Sequence, residues 1–412
     1  MTAEAAVACR SCGGLDLHPF LDLGVTPLAD ALVAADNLDA PEERYPLQVA
    51  FCPDCALVQI LEEVPPHKLF VDNYRYFSSY SDAVLEHSRR HATSLIDTRR
   101  LGPDSLVVEL ASNDGYLLRN FVVAGVPVLG IDPAPDQAAA ANAAGVPTID
   151  AFFGSDVAET LRHDGRVADV IIANNVLAHV PALNDFVAGM AMLLADDGLI
   201  TIESPYVREL IDRVEFDTIY HEHYCYYSCT SMERLLRRHQ LHLNDVEFFP
   251  DLHGGTLRWH VGHHDDPSDR VVEYLQRERD AGVDRFAYYQ AFAIRVEDVA
   301  DRLRTLIGDL VASGATVAGY GAAAKGATLL NYVGLGTDLV SFVVDRNPHK
   351  QGRHMPGTHQ PIEDPAVLGE RRPDYLLLLA WNFAAEIAAQ QRDYLAGGGL
   401  MILPVPEPRI MP

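Results

Sequence analysis

No apolar run in this 412-residue sequence approaches the roughly eighteen residues that a membrane-spanning helix needs. The opening MTAEAAVACR also lacks the charged stretch followed by an apolar stretch that marks a secretion signal. The sequence therefore predicts a cytoplasmic protein with no membrane partner. Positive charge is scarce: 32 Lys and Arg stand against 58 Asp and Glu, a formal net charge of −26. A field of that sign repels phosphate backbones and counts against nucleic acid as a partner, while leaving room for a local basic pocket that takes one diphosphate. Low-complexity segments and short repeats are absent. The length exceeds what one hydrophobic core usually supports and predicts two or three domains. Cysteines number only six, and four of them fall in two C-x-x-C pairs. In a reducing compartment such pairs read as metal ligands before they read as disulfides.

The segment 1–70 is turn-rich and contains both pairs, so it reads as a small module too irregular to fold without a staple. From about residue 104 the pattern becomes alternating strand and helix, which predicts an α/β fold with a parallel, doubly wound sheet in segment 71–250. Segment 251–412 opens with helical periodicity over 269–313, broken near Gly282, and ends in a second strand–turn–helix unit. The expected class is α/β in three parts: a zinc-binding module, a Rossmann-like central domain and a second Rossmann-like domain. Oligomeric state is left open, because a sequence displays no surfaces.

Cys9-x-x-Cys12 and Cys52-x-x-Cys55 supply four thiolates, enough to close a tetrahedral shell around zinc. Four sulfurs leave no open coordination position, so the site is expected to be structural, its binding energy helping to fold a thin module. A redox dithiol is the competing reading.

A strand, VVEL, runs into the turn Ala111-Ser112-Asn113-Asp114-Gly115, which resembles the first motif of class I methyltransferases. In such enzymes an acidic residue ending the first strand and a glycine turn cradle the methionine end of S-adenosylmethionine, and Glu109 and Gly115 fill those places. Asp132 ends the next strand, with Pro133 after it, where a carboxylate accepts ribose hydroxyls. Phe152 and Phe153 are placed to flank an adenine, and Asn174 and Asn175 end a later strand at the carboxyl edge where such sheets bind ligands. The turn has no G-x-G-x-x-G, which argues against a nicotinamide dinucleotide there.

Tyr220-His221-Glu222-His223-Tyr224 packs ionisable groups densely between two predicted elements. Carbon methylation next to a ketone requires removal of an α-proton and support for the enolate oxygen. Histidine suits the first task near neutral pH and a tyrosine hydroxyl the second. The histidines stand two apart, whereas zincins need H-E-x-x-H to bring both imidazoles to one helical face. His179, and Tyr76 within an aromatic run, are further candidates. A second glycine turn, Gly319-x-Gly321-x-x-x-Lys325-Gly326, with Asp345 ending the next strand, imitates a dinucleotide fingerprint. Its displaced third glycine and its lysine favour a helix N-terminus at which Gly321 and Lys325 hold a diphosphate, with Arg346, Lys350, Arg353 and His354 adding positive charge. A nicotinamide-dependent sugar-nucleotide oxidoreductase is the enzymatic alternative, and a zinc-bearing interaction protein the non-enzymatic one.

The paired C-x-x-C, ELASNDGYLL, NNVLAHV, YHEHYCYYS, HGGTLR, GYGAAAKG, PGTHQPI and AWNFAAEI together resemble the bacterial deoxysugar C-methyltransferases of antibiotic biosynthesis over nearly the whole chain. The resemblance implies methyl transfer from S-adenosylmethionine to C3, or in some members C5, of a thymidine-diphospho-4-keto-6-deoxyhexose. It implies His223 as the base, Tyr220 and His179 as supports of the enolate, Glu222 as the group that orients the imidazoles, and Tyr76 as a sugar contact. It also implies a C-terminal domain that holds the thymidine diphosphate. Spacing alone does not decide whether His221 or His223 faces the substrate.

Overall fold

The computed structural model of the chain describes residues 7–71, 77–250, 252 and 254–411. The N-terminal module is built on β1 (His18–Pro27), β2 (Arg44–Phe51) and β3 (Val58–Ile60), an antiparallel meander that follows the first knuckle and brackets the second. Its fourth strand is Cys225–Tyr226, which pairs antiparallel with β3. The module's sheet is thus completed by the two residues that follow the ionisable cluster, which anchors the end of the cluster's turn to the module.

Helix α1 (Asp82–Arg99) leads into β4 (Val107–Leu110), β5 (Val128–Asp132), β6 (Thr148–Asp150), β7 (Ala168–Asn174) and β8 (Leu194–Pro205). After helix α2 (Cys229–Arg238), β9 (His242–Phe249) and β10 (Thr256–Gly262) complete a seven-stranded sheet of order β9-β10-β8-β7-β4-β5-β6. The strands β4 to β8 run parallel, and β10 is antiparallel to both of its neighbours. Their near-continuous apolar runs fit strands buried on both faces: all four residues of β4 are buried, Glu109 included. The strand order reverses between β4 and β7, the place where doubly wound sheets bind ligands. The expected division at residue 250 falls inside the β9–β10 hairpin, because β10 pairs with β8 and belongs to the central sheet.

Helices α3 (Asp269–Ala281) and α4 (Phe286–Ala312) are separated at Gly282, whose φ of 79° caps α3 in the left-handed conformation. Tyr289, Phe292, Val296, Val299, Leu303 and Ile307 recur on one buried stripe of α4. Tyr289 stacks on Phe51 of β2 at 4.7 Å between ring centroids, tying the helix to the N-terminal module. The last unit consists of β11 (Val317–Tyr320), α5 (Ala324–Val333), β12 (Val343–Val344), β13 (Ile362–Glu363), β14 (Tyr375–Leu378), β15 (Leu400–Leu403) and β16 (Arg409–Met411). They form a six-stranded sheet of order β13-β12-β11-β14-β15-β16, parallel except for β16. Among the described residues no helix is long and apolar enough to cross a membrane.

Candidate active site

One cavity of about 870 Å³ is lined by all three parts of the chain: Asp30 and Phe70, the carboxyl ends of β5 and β7, His179, Tyr220, Glu222 and His223, and Lys325 and Lys350.

On its cofactor side the turn after β4 is held in an unusual conformation. Ala111, Asn113 and Gly115 have φ of 55°, 50° and 75°. Glycine is required at 115, since a Cβ there would lie 2.9 Å from a methyl of Val146. Asp132 fastens the turn by accepting the Asn113 N–H at 2.7 Å and the Ala134 N–H at 2.8 Å. Burial raises the carboxyls of both Asp132 and Glu109 above their ordinary range. Ala111, Asn113, Asp132, Pro133, Phe152, Phe153, Asn174 and Asn175 line the cavity, and the buried Asn174 Oδ1 has no hydrogen-bond partner among the described residues. Glu109, Ser112 and Gly115 lie behind this surface, packed under the turn rather than on the cavity wall. The orphaned Asn174 oxygen, the acidic strand end and the exposed ring of Phe152 fit a nucleoside bearing hydroxyl and amino donors.

Across the cavity, His223 and His179 are fixed by main-chain carbonyls. His223 Nδ1–H donates to Thr218 O at 2.9 Å, and His179 Nδ1–H donates to Glu222 O at 2.7 Å. A carbonyl only accepts, so each neutral ring carries its proton on Nδ1 and its basic lone pair on Nε2. Burial lowers His179 to about 4, which keeps it neutral at pH 7. The Tyr220 ring lies 4.1 Å from that of His223, and the His179 ring 4.8 Å from it on another side. Phe70 abuts His179 edge-on at 5.3 Å.

His221 faces the other way. Its Nε2 donates to Pro46 O at 3.1 Å and its ring meets Tyr45, so it binds the cluster to the N-terminal sheet while His223 fronts the cavity. The orientation attributed to Glu222 comes from its backbone carbonyl; its carboxyl is buried, with Oε2 unpartnered among the described residues, and burial pushes it up to about 8. Tyr76 lies outside the described residues.

The residues proposed for a diphosphate are not brought together. Lys325 lines the cavity, but its ammonium donates to Asn382 at 3.0 Å and lies 4.4 Å over the Trp381 ring. Gly321 packs against Ala380, Arg346 reaches Glu386 at 3.7 Å on the surface, and Arg353 and His354 form a two-residue antiparallel pair with Val33 and Ala34. Clustering in sequence was misleading because the loop turns these groups to different sides. Lys350 is the one member that fronts the cavity with Lys325. Sequence reading missed Asp30 and Phe70, which stand alone in unremarkable segments and reach the site only through the fold.

The four cysteines of the N-terminal module converge, with all ligand atoms within 4.8 Å of one another. The Cys9–Cys55 and Cys12–Cys52 sulfur separations are 3.4 and 3.5 Å. Tetrahedral Zn–S bonds of about 2.3 Å imply sulfur separations of about 3.8 Å, so the quartet fits a zinc ion with a small expansion. Asn184 donates to the carbonyls of Arg10 and Ser11, and the Arg10 guanidinium lies 5.2 Å over Tyr224, so the first knuckle is docked against the active-site segment.

A sheet of this order, with a glycine turn and acidic strand ends at its switch point and a four-cysteine module, defines a zinc-bearing S-adenosylmethionine-dependent methyltransferase. Family models match along the chain: a zinc binding domain over residues 9–70, a methyltransferase domain over 84–245 and a C-methyltransferase C-terminal domain over 251–406. The C-methyltransferase NovU of Streptomyces niveus is 38% identical over 408 residues, 98% of this chain and 96% of that protein. The chain belongs to this C-methyltransferase family. Among solved structures, the magnesium protoporphyrin IX methyltransferase ChlM of Synechocystis PCC 6803 with bound SAH is 16% identical, covering 43% of this chain and 82% of that one, with a TM-score of 0.34. The PH0226 protein of Pyrococcus horikoshii OT3 is 14% identical, covering 45% and 94%, with a TM-score of 0.35.

Proposed function

We propose that the enzyme methylates the carbon α to the ketone, C3, of a thymidine-diphospho-4-keto-deoxyhexose, through an enolate, in the making of a branched deoxysugar of an antibiotic. The observation that carries the reading is the His223–His179–Tyr220 group facing the Asp132 turn across one cavity. His223 Nε2 takes the α-proton. The electrons of that C–H bond become the enolate, whose oxygen is held by the Tyr220 hydroxyl. His179, neutral with Nε2 as its acceptor, cannot donate from that nitrogen to an oxyanion unless it is protonated. Its part is therefore to fix the His223 ring and exclude water beside Phe70. Asp132, Asn113, Asn174 and Phe152 hold the cofactor, which supplies an electrophilic methyl group. The sugar nucleotide is placed toward the C-terminal unit, where Lys350 and Lys325 line the cavity with their ammonium groups already donating to Ala322 O and Asn382.

The test is to incubate the protein with methyl-labelled S-adenosylmethionine and a panel of thymidine-diphospho-4-keto sugars, and to follow α-proton exchange in D2O. The expected result is a new carbon-bound methyl, with His223→Ala lowering both transfer and exchange by ~10²–10⁴-fold at unchanged cofactor affinity. Undiminished exchange in that variant would remove His223 as the base. Cofactor binding without transfer to any sugar would remove the acceptor class.

A further inference from the structure

Thr218 lies in a single 3₁₀ turn, Phe216–Thr218, and its carbonyl receives the His223 Nδ1–H at 2.9 Å. Which nitrogen of a neutral imidazole keeps the proton is set by the hydrogen bond that the ring makes to its surroundings. A carbonyl in this place leaves the lone pair on Nε2. Rotated away, it would let the proton pass to Nε2, and that nitrogen could then no longer accept an α-proton.

The turn's own bonds are short in range. Thr218 N–H and Oγ1–H both donate to Glu215 O, at 3.1 and 2.7 Å, and Ile219 N–H donates to Phe216 O at 3.0 Å. One such turn orders several dihedral angles for very few bonds and does not hold its shape unaided. Its support comes from the C-terminal unit. The Trp381 Nε1–H, on the turn after β14, donates to Asp217 Oδ2 at 2.7 Å, and the Phe216 ring meets Tyr332 of α5 at 5.4 Å between centroids. The indole is itself clamped: Lys325, at the start of α5, lies 4.4 Å over its ring and donates to Asn382, the residue after Trp381. Asp217 is fully buried and its Oδ1 has no hydrogen-bond partner among the described residues, so removing the indole N–H would deepen a shortage of donors around a buried carboxyl. Trp381 stands behind the cavity wall, which Ala323, Ala324 and Lys325 form on this side.

Resting on His223 as the base proposed above, we infer that Trp381 is a positioning residue for it: through Asp217 it fixes the turn whose Thr218 carbonyl keeps the His223 proton on Nδ1. The C-terminal unit then does more than bound the acceptor side of the cavity. Its docking on residues 216–218 sets where the proton sits on a ring of the central domain. Neither Trp381 nor Asp217 takes part in the proton transfer itself.

The experiment uses the full chain with isotope-labelled histidine and compares wild type, Trp381→Phe, Asp217→Ala and Asp217→Asn, with zinc content and cofactor Kd as controls for folding. Trp381→Phe keeps a ring beneath Lys325 and removes the N–H, while Asp217→Asn keeps an amide oxygen to accept it. Heteronuclear NMR of the neutral rings reads the tautomer of His223, whose signals are identified by their loss in His223→Ala. Wild type is expected to show the Nδ1–H form. Trp381→Phe and Asp217→Ala should show a mixture with the Nε2–H form, and should lower kcat and α-proton exchange by ~10–100-fold with KM for the sugar nucleotide within about 2-fold. Asp217→Asn should behave as wild type in both readouts. A rise of KM at unchanged kcat in Trp381→Phe, or an unaltered His223 spectrum, overturns the inference. The spectrum needs no acceptor, so it decides the matter even where no keto sugar is methylated. Undiminished exchange in His223→Ala removes the base and this role together, whereas exchange lost in His223→Ala beside an indifferent Trp381→Phe removes the positioning role alone.

Discussion

Beyond β4, the Asn113 N–H donates to Asp132 Oδ2 at 2.7 Å, and beyond β11 the Ala322 N–H donates to Asp345 Oδ2 at 2.7 Å. In each case the other carboxylate oxygen takes the N–H two residues further on, from Ala134 or Asn347, at 2.8 Å. The two α/β units therefore share a glycine turn strapped by the acidic residue that ends the neighbouring strand. They differ in what lies in front. The first turn opens on the cavity, which Asn174, its Oδ1 unpartnered among the described residues, also lines. The second is crossed by the protein's own cations, Lys350 donating to Ala322 O and Lys325 stacked on Trp381, while Gly321 packs against Ala380. A glycine turn with an acidic strand end is thus first a way of joining strand to helix. Room and unpaired polar atoms in front of it make it a ligand site.

Substitution at the two aspartates should separate these roles by the widest margin. Asp132→Ala is expected to raise the cofactor Kd by ~100-fold or more, through loss of charge-assisted hydrogen bonds and of the turn's conformation. Asp345→Ala should leave that Kd within about 2-fold. Both should lose roughly 1–3 kcal/mol of stability, because each leaves two backbone N–H groups without their carboxylate acceptor. Calorimetric titration beside denaturant unfolding reads the two quantities, and equal losses of affinity would erase the distinction. A smaller effect is expected at the glycines. Gly115→Ala and Gly321→Ala place a Cβ at φ of 75° and 94°, 2.9 Å from Val146 and 2.7 Å from Ala380. Each should cost on the order of 1–3 kcal/mol. Only the first should also weaken cofactor binding, and a cofactor loss in Gly321→Ala would show that the second turn communicates with the first.

Much of this was legible locally. The apolar run VVEL, the turn at 111–115 and Asp132 at the next strand end carry period and turn chemistry in a short stretch, and the two C-x-x-C pairs carry their metal geometry in their spacing. The helix break at Gly282 was legible for the same reason. What could not be read was direction and long-range pairing. His221 and His223 are equivalent in composition, and only the folded chain, through Pro46 O for one and Thr218 O for the other, distinguishes the residue bound to the N-terminal sheet from the one that lines the cavity. Arg353 and His354 looked like free positive charge because nothing in their neighbourhood announces a strand partner at Val33–Ala34. Asp30 reaches the site from nearly two hundred residues before Glu222, through a docking that no local pattern encodes.

The smallest predicted effect concerns the charge behind the second turn, and it has no counterpart of the same make-up behind the first. Lys325 is backed by Glu215 and by Asp217, which accepts Trp381 Nε1–H at 2.7 Å. Burial raises Glu215 to about 8 and Asp217 to about 6, with Lys325 opposing the rise in both. A carboxyl whose pKa is higher folded than unfolded binds its proton more tightly in the native state. Its stabilising contribution is therefore full below the unfolded value and is lost as pH rises through the folded one. For Glu215 that window runs from about 4.5 to about 8. Glu215→Gln should flatten the fall in melting temperature across it, a change of slope of at most about 1.4 kcal/mol per pH unit. Cofactor affinity, set at the other turn, should keep its wild-type pH profile. A stability profile that is unchanged in Glu215→Gln would mean that Lys325 holds Glu215 ionised in the folded protein, and the second turn would then be closed by a complete ion pair rather than by a shared proton.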